Sequence, residues 1–339
     1  MKAAILHSEV SQDASPDDLD TLDQAQGVAR ALKGLGHETV SVTFSLDLKT
    51  VSATLATLAP DVVFNLVESV DGSGRLIHFA PSLLDHLSIP YTGCPAAGIF
   101  VTSGKTLAKK TLASAGLPTP TWITSEDGVD GREFSPGRFI VKSAWEHASL
   151  GLDEGSVIHA PNHAALLEIV RERESADGGE WYAERFVEGR EFNVPLLAGA
   201  DGPRVLPVSE IVFDAYPQGK VRVVGYRAKW ETESFEYNNT PRRLDFPERD
   251  LLLVKEMELL ARKCWSVFGL AGYARVDFRV DENGRPWILE INANPCIAPD
   301  AGFEASARHA GLTYADIVET LVEDALTRRG RKSGTTARA

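Results

Sequence analysis

The sequence predicts a mixed α/β protein built from more than one structural unit. The first part of the chain alternates short apolar strand patterns with helical patterns, which is typical of a parallel sheet covered by helices. After about Glu191, strand patterns dominate and are interrupted by one long helical segment, which indicates a second region rich in strands. A length of 339 residues is sufficient for two or three domains with sizeable cores.

The individual elements follow from apolar periodicity and from glycine and proline stop signals. In the first unit, strands are predicted at residues 3–6, 39–44 and 61–67, and helices at about 18–35 and 76–87. A further helix at about 103–115 ends at Gly116, ahead of Pro118 and Pro120. A second unit follows, with strands at 139–143 and 182–187 and a helix near 163–174.

The end of the chain carries most of the remaining strand patterns. Strands are predicted there at residues 191–197, 205–213, 221–224, 272–280 and 286–291, and helices at about 248–268 and 314–326. The terminal segment 328–339 is basic and rich in small polar residues. We therefore expect a disordered tail in this segment rather than a nucleic-acid-binding arm.

Charge and composition argue against several classes of protein. The net charge of −13 disfavours a general affinity for nucleic acid, because phosphate backbones are bound by basic surfaces. No apolar run approaches the ~20 residues that cross a bilayer, and the short apolar N-terminus fits a first strand better than a signal peptide. The three cysteines lack CxxC spacing, so neither a disulfide framework nor a zinc site is indicated. We expect a cytoplasmic protein without nucleic-acid or membrane partners.

The most informative stretch is residues 272–295, where two predicted strands are joined by an Asp-Glu-Asn-Gly turn. Because side chains alternate along a strand, Arg275 and Asp277 share one face of the first strand, and Glu290 and Asn292 share one face of the second. A hairpin brings the two pairs together. Two carboxylates and an amide suit a hard cation such as Mg²⁺, and the arginine could stabilise developing negative charge. The alternative is a solvated strand face that carries charges.

Arg275-Val-Asp277, followed by Glu290-Ile-Asn292-Ala-Asn-Pro295, resembles the metal-binding signature of ATP-grasp ligases. The chain is most similar to the D-alanine–D-alanine ligase family, over a stretch that runs from residues 61–68 to 311–314. The resemblance implies an ATP-grasp fold in three parts and the use of ATP with Mg²⁺ or Mn²⁺. The parts are an N-terminal parallel α/β unit at 1–93, a small central α+β unit at 94–187, and a C-terminal catalytic unit at 188–327 with a large, mostly antiparallel sheet.

The resemblance also assigns residues to the phosphates of the nucleotide. It implies that Lys105, Lys142 and Lys229 surround the triphosphate with positive charge, which fixes its geometry for phosphoryl transfer. Any one of these lysines taken alone is more often an ordinary surface residue, and the prediction depends on all three matching the family's positions. The segment 147–151 resembles the loop whose backbone amides close over the phosphates, and Ser149 within it is a candidate catalytic residue together with Lys229 and Arg275.

A second set of residues resembles the family's site for adenine and ribose. Glu184 would meet the adenine amino group, and Glu191 would hold the ribose hydroxyls. Backbone groups of Phe186 and Val187 and the side chains of Ile140 and Leu289 would surround the base. Ile140 and Leu289 could also be ordinary core residues, because both roles require burial.

The chain departs from the family pattern where the substrates would bind. Cys296 replaces a glycine, and Asp300 lies where a serine would hold the acceptor's carboxylate, so Asp300 is better suited to an amine or a guanidine. Arg75 could hold a substrate carboxylate or lie in solvent, and Glu68 could face the substrate. Asp300 could instead shape the turn beside Pro299, and Cys296 could be a packing residue.

These features predict an ATP-dependent ligase that joins a carboxylate to an amine through an acyl phosphate. We expect small amino-acid-like substrates, and the resemblance is compatible with a homodimer that no single residue demonstrates. A true D-alanine–D-alanine ligase is one alternative. A nucleotide-binding regulator without turnover is another, although intact Arg275, Asp277, Glu290 and Asn292 argue against it.

Overall fold

A computed structural model describes residues 1–10, 16–127, 134–146 and 151–336, with the side chains of 16–18 and 329–336 left out of the description. Within these ranges the chain forms three sheets, each from a continuous part of the sequence. Each sheet falls inside one of the three predicted units. The boundaries at residues 93 and 187 stay a prediction.

The N-terminal unit is the parallel α/β unit that the sequence predicts. Its elements are β1 (Lys2–Ser8), α1 (Pro16–Gly34), β2 (Glu38–Phe44), α2 (Leu48–Leu58), β3 (Val62–Leu66) and α3 (Phe79–His86). The strands pair in parallel in the order β2-β1-β3. Strand β1 is buried almost throughout because helices cover the sheet. Helix α2 was not predicted, because its serine and threonine residues have low helix propensity; Asp47 caps its first turn.

Two helices lead into the central unit. They are α4 (Ala96–Ser103) and α5 (Lys105–Ser114), where the sequence predicted one helix. The central unit contains β4 (Trp122–Thr124), β5 (Gly137–Ser143), β6 (Val157–Ala160), α6 (His163–Asp177) and β7 (Trp181–Arg185). Its strands form an antiparallel sheet in the order β4-β7-β5-β6.

The C-terminal unit is built on a six-stranded antiparallel sheet. Its strands are β8 (Arg190–Leu197), β9 (Arg204–Val205), β10 (Ser209–Ile211), β11 (Arg242–Arg243), β12 (Tyr273–Val280) and β13 (Pro286–Asn292). They are arranged in the order β11-β10-β8-β12-β13, and β9 also pairs with β8. The helices are α7 (Tyr226–Trp230), α8 (Phe235–Asn238), α9 (Leu251–Val267), α10 (Gly302–His309) and α11 (Tyr314–Thr336).

Several predictions for this unit were wrong. The single strand expected at 205–213 is two short strands, because Pro207 between them has no backbone N–H to donate to a sheet. Residues 221–224 form no strand, and α10 was not predicted. The tail expected to be disordered from Arg328 is helical as far as Thr336. Arg328 anchors this helix by donating hydrogen bonds of 3.0 Å to the carbonyl oxygens of Tyr91 and Gly93.

The N-terminal and C-terminal parts of the chain share one hydrophobic core. Ile5 and Phe64 of the parallel sheet belong to the same buried cluster as Phe303 of α10 and Leu321 of α11. A second cluster lies between α9 and the large sheet. Among the described residues, no helix has both the length and the apolar character needed to traverse a bilayer.

Candidate active site

A cleft of about 720 Å³ lies where the three units meet. Most residues predicted to bind nucleotide, metal or substrate line it, although they come from distant parts of the sequence. They are Glu68, Lys105, Ile140, Lys142, Glu184, Phe186, Val187, Glu191, Lys229, Arg275, Asp277, Leu289, Glu290, Asn292, Cys296 and Asp300. Arg75 does not line the cleft, and Ser149 lies outside the described residues.

The β12–β13 hairpin forms the floor of the cleft. Arg275 lies directly opposite Asn292, and Asp277 lies opposite Glu290, so the pairing brings together the four side chains that the sequence analysis placed on one face. Arg275 donates two hydrogen bonds to Asp277, of 2.7 Å from Nε and 2.8 Å from Nη2. The amide nitrogen of Asn292 donates to Asp277 at 3.0 Å. These bonds fix the Asp277 carboxylate at the centre of the group.

Strand β8 supplies a further contact that the sequence analysis missed. Asn193 lies opposite Asp277 on the neighbouring strand and donates a hydrogen bond of 2.8 Å to its Oδ1 atom. Cross-strand pairs of this kind orient the side chains of a sheet. Asn193 was not identified because nothing in the sequence shows which strand neighbours β12.

A β-bulge changes the direction of Leu289. Asp277 pairs with Glu290, but the next residue, Phe278, pairs with Ile288, so Leu289 is an extra residue in β13. Simple alternation would put Leu289 on the opposite face from Glu290. The bulge instead lets both side chains line the cleft, while Ile288 is fully buried in the core. Strict two-residue alternation is therefore broken at the residue predicted to contact adenine.

Three lysines converge on Glu290. Burial opposes the charge of this carboxyl group, but Lys105, Lys229 and Lys142 favour it and lower the pKa of Glu290 to about 2. Burial lowers the pKa values of Lys105 and Lys229. The pKa of Lys142 is raised because Glu184 and Glu290 outweigh the effect of its burial. Such a cluster of cations around one carboxylate is suited to binding a polyanion.

Glu184 has a different environment from the one predicted. Its carboxylate is 1% exposed and forms ion pairs with Lys142, at 2.6 Å, and with Lys109. Lys109 is also fully buried and donates to Thr119 at 3.0 Å. Burial alone would raise the pKa of Glu184, but the two lysines have the opposite and larger effect. The pKa of Glu184 is therefore lowered, and the group stays ionised. Glu184 therefore holds Lys142, which is predicted to bind phosphate, and this ion pair was not foreseen from the sequence.

Three of the residues predicted to contact adenine and ribose are held by an arginine that was not predicted to belong to the site. Arg279 donates to Glu191 at 2.9 Å and to the carbonyl oxygen of Val187 at 3.1 Å, and its guanidinium lies 5.2 Å from the centre of the Phe186 ring. Arg279 alternates with Arg275 and Asp277 along β12, and this spacing could have identified it.

The opposite end of the cleft contains acidic residues and a thiol. Cys296 donates a hydrogen bond of 3.0 Å from its thiol to Asp20 on α1. Gln24 donates to Glu68 at 2.7 Å and accepts from the backbone N–H of Ile297 at 3.0 Å. Burial, together with the nearby Asp300, raises the pKa of Asp20. The sequence analysis did not single out Asp20, because helix α1 gives no sign of which cleft it faces.

Arg75 is the predicted substrate residue that lies elsewhere. It forms an ion pair of 2.8 Å with Glu180, in which both side chains are more than half exposed, and its guanidinium lies over Trp145. The structure does not place Arg75 on the cleft, and its role in binding a substrate carboxylate stays a prediction. The alternative that it lies in solvent at the start of a helix fits the structure.

The side chains on the cleft face of the β12–β13 hairpin have the chemical groups that a magnesium site requires. Asp277, Glu290 and Asn292 offer carboxylate and amide oxygens, which are the ligands that Mg²⁺ prefers. Within the described part of the chain, no group of three or more histidine, cysteine, aspartate or glutamate side chains is placed to hold a metal. Two carboxylates are sufficient for Mg²⁺ when substrate phosphates and water complete its coordination.

Solved structures with the same architecture define the fold. The crystal structure of a Bacillus anthracis D-alanine–D-alanine ligase complexed with ATP superimposes with a TM-score of 0.73 at 20% identity, covering 98% of this chain and 99% of that one. This three-part architecture is the ATP-grasp fold. The prediction of fold class is confirmed.

Sequence comparisons define the family. A family model described as the D-ala D-ala ligase C-terminus matches residues 136–323, more than half of the chain. A D-alanine–D-alanine ligase of Moorella thermoacetica is 32% identical over 90% of this chain and 94% of its own length. A D-alanine–D-alanine ligase from Aquifex aeolicus is 28% identical over 89% of this chain and 94% of its own length. The chain belongs to the D-alanine–D-alanine ligase family, and it is an ATP-dependent ligase that forms carbon–nitrogen bonds.

Proposed function

We propose that this protein joins the carboxylate of one small amino-acid-like substrate to the amine of another. ATP would activate the carboxylate as an acyl phosphate, and the products would be an amide, ADP and phosphate. The observation that carries the proposal is the arrangement of Lys105, Lys142 and Lys229 around Glu290 on the hairpin. These lysines would bind the phosphates, and the region of the same cleft around Cys296 and Asp300 would bind the small polar substrates.

The phosphate end would bind and orient the nucleotide. The three lysines would neutralise the phosphate oxygens, and Asp277, Glu290 and Asn292 would hold Mg²⁺. Magnesium bound there would supply further positive charge to the phosphates. Glu184 supports this arrangement indirectly, since it keeps Lys142 in place through their 2.6 Å ion pair.

The nucleoside would lie between Ile140 and Leu289, with Glu191 at the ribose. Arg279 occupies one oxygen of Glu191, Oε2, and leaves Oε1 for a hydroxyl group. Phe186 and Val187 line the same part of the cleft and would contribute backbone groups. Leu289 reaches this position only through the bulge in β13, so the proposed adenine site depends on that irregularity.

The reaction would take place in two steps. An oxygen of the substrate carboxylate attacks the γ-phosphorus of ATP, the bond to the bridging oxygen breaks, and ADP departs. A neutral amine then attacks the acyl carbon, phosphate leaves with the electron pair of the broken carbon–oxygen bond, and the nitrogen releases a proton to the departing phosphate. The Arg275 guanidinium, fixed by its two bonds to Asp277, would stabilise the oxyanion between these events.

The proposal is tested by measuring ADP release with Mg·ATP and a panel of L- and D-amino acids, singly and in pairs. We expect release to require an amino acid and to decrease at least about 100-fold in Glu290→Gln, because removing this carboxylate leaves three lysines and the metal without their shared partner. Unchanged turnover in Glu290→Gln would refute the mechanism. A wild-type protein that releases no ADP with any member of the panel would refute the proposed activity.

The names of the relatives favour one specific alternative, which is synthesis of D-alanyl-D-alanine. Turnover with D-alanine alone, comparable to the best amino-acid pair, would support this alternative. We favour a different pair of substrates because the proposed substrate end contains Cys296 and Asp300, which depart from the family pattern. Phosphate release measured with D-alanine alone separates the two cases.

A further inference from the structure

Arg242 is a cleft residue with no assigned role. It belongs to β11, at the edge of the large sheet, and lies opposite Ile211. Ile211 in turn lies opposite Glu191, which lies opposite Arg279. Residues directly opposite one another in antiparallel strands share a face of the sheet, and all four of these residues line the cleft. The register of the sheet therefore directs Arg242 toward the substrates.

The next residue, Arg243, faces the other way and has partners. It donates to Glu210 at 3.1 Å from Nε, and Glu210 also accepts two hydrogen bonds of 2.8 Å from Arg190. The guanidinium of Arg243 lies 5.9 Å from the centre of the Phe246 ring. Arg243 is thus a structural residue on the side of the sheet away from the cleft, and it provides a matched comparison for Arg242.

Arg242 has no such partner. Among the described residues, no carboxylate lies within 4.0 Å of its guanidinium, whereas Arg275 and Arg279 on the same face of the sheet pair with Asp277 and Glu191. The charge of Arg242 is disfavoured by a second cation, Arg275, and favoured by Asp300. Burial and the repulsion from Arg275 lower the pKa of Arg242. Two guanidinium groups that face one cleft without a bridging carboxylate favour an anion between them.

Gly302 gives Arg242 room over the first turn of α10. A Cβ atom at position 302 would lie 3.1 Å from Nε and 3.5 Å from Cζ of Arg242, so a larger residue would push the guanidinium away. Asp300 and Cys296, which line the same end of the cleft, are the residues that replace the family's acceptor-binding serine and glycine. Arg242 therefore lies where the acceptor pocket has changed.

We propose that Arg242 takes the place of the family's serine and binds the carboxylate of the amine-bearing substrate. The inference rests on the proposed ligase function. A guanidinium that binds a carboxylate through two parallel hydrogen bonds gives both charge and geometric recognition. The carboxylate of the other substrate is excluded from this place, because it must lie beside the phosphates that Lys105, Lys142 and Lys229 surround.

The test compares acceptors that differ only in their carboxylate. ADP release is measured with Mg·ATP and the best amino-acid pair from the panel, and the acceptor is then replaced by its carboxamide. We expect Arg242→Gln to raise KM for the carboxylate acceptor about 10- to 100-fold, because a hydrogen-bonded ion pair is lost. The same variant should leave KM for the carboxamide and for ATP unchanged. KM of Arg242→Lys for the carboxylate acceptor should lie between those of the wild type and Arg242→Gln, because lysine keeps the positive charge but lacks the two parallel N–H donors of arginine.

Arg243→Gln is the matched control, because it removes the same charge one residue away on the opposite face. It should leave the preference for the carboxylate acceptor unchanged, even where the thermal midpoint decreases. An Arg242→Gln variant whose ratio of KM values for carboxylate and carboxamide equals that of the wild type would overturn the inference. So would a wild-type enzyme that uses the carboxamide as well as the amino acid.

Failure of the proposed function gives a different result. A wild-type protein that binds Mg·ATP and releases ADP, but shows no effect of Arg242→Gln on the acceptor, refutes the role of Arg242 alone. A wild-type protein with no ADP release for any amino-acid pair refutes both the ligase proposal and the role of Arg242. Calorimetric titration with Mg·ATP, carried out on the wild type and both variants, separates these outcomes.

Discussion

The proposed phosphate end of the cleft, around Glu290, and the proposed substrate end, around Cys296, are built in different ways. At the phosphate end, charged side chains are held by one another: Arg275 by Asp277, Lys142 by Glu184, and Glu184 also by Lys109. At the substrate end the contacts are weaker, such as the thiol of Cys296 on Asp20, and Arg242 has no ion pair with any described residue.

The difference shows which part of the enzyme tolerates change. Ion pairs that are buried and shared among several groups fail together when one member is removed, because the remaining charges lose their compensation. A pocket lined by single contacts can exchange one residue without disturbing the rest. We therefore expect substitutions at the phosphate end to reduce all turnover, and substitutions at the substrate end to alter the choice of substrate.

The largest effect is expected for Asp277→Ala. This change removes a proposed magnesium ligand and leaves Arg275 without its bidentate partner, so ADP formation should decrease about 10²- to 10³-fold. Steady-state ADP release at saturating substrates is the measurement. Glu282→Ala, which removes an exposed carboxylate from the turn of the same hairpin, should leave the rate within about twofold of the wild type. Equal losses in the two variants would contradict the comparison.

Lys109→Met should have the largest effect on stability. The substitution leaves the buried Glu184 carboxylate with Lys142 as its remaining cation, and we expect a loss of about 3 kcal/mol in the free energy of unfolding. Urea-induced unfolding measures it. Lys110→Met, at an exposed position one residue later, should change that free energy by less than about 0.5 kcal/mol. An unchanged free energy of unfolding in Lys109→Met would show that the buried ion pairs of Glu184 with Lys109 and Lys142 contribute little to stability.

Acid should destabilise the protein through the phosphate end. The pKa of Glu290 is lowered to about 2 in the folded protein, so this group contributes stability that is present above its ordinary pKa and is lost as the pH falls toward 2. Across this window the free energy of unfolding should decrease by about 3 kcal/mol from Glu290. Unfolding measured from pH 6 to pH 2 should show a shallower decline in Glu290→Gln. Parallel curves for the two proteins would disprove this contribution.

The smallest effect is expected for Cys296→Ala. Its thiol is a weak hydrogen-bond donor, so loss of the bond to Asp20 should cost less than about 1 kcal/mol of stability. KM for the amino-acid substrates should change by less than about fivefold, and KM for ATP should not change. Cys296→Ser, which keeps a donor, should remain closer to the wild type. A complete loss of activity in Cys296→Ala would place the thiol in the reaction itself.

Features close together in the sequence were predictable. The hairpin could be foreseen because β12 and β13 are joined by a short turn, so alternation alone puts Asp277 opposite Glu290. The bulge at Leu289 could not, since it depends on how β13 adjusts to its neighbours. The pairing of Glu184 with Lys109 joins α5 to β7, and no local pattern records such a contact.

The substrate end was harder still to foresee. Asp20 and Arg242 come from separated segments, and each looks like an ordinary surface residue in its own stretch of sequence. Glu68 and Cys296 were predicted, the latter because it departs from the family pattern, but no local pattern shows that they share a pocket with Asp20 and Arg242. Arg75 was predicted in the same way, and in the structure it pairs with Glu180 and does not line the cleft.

The shared core of the two chain ends has a consequence for biosynthesis. Ile5 and Phe64 are buried against Phe303 and Leu321, which lie more than 200 residues later in the chain and leave the ribosome after them. The first sheet can therefore pair its strands early, but it must wait for α10 and α11 before one of its faces is covered. During translation that face is exposed, and a nascent chain arrested before α11 would present it to chaperones or to neighbouring chains.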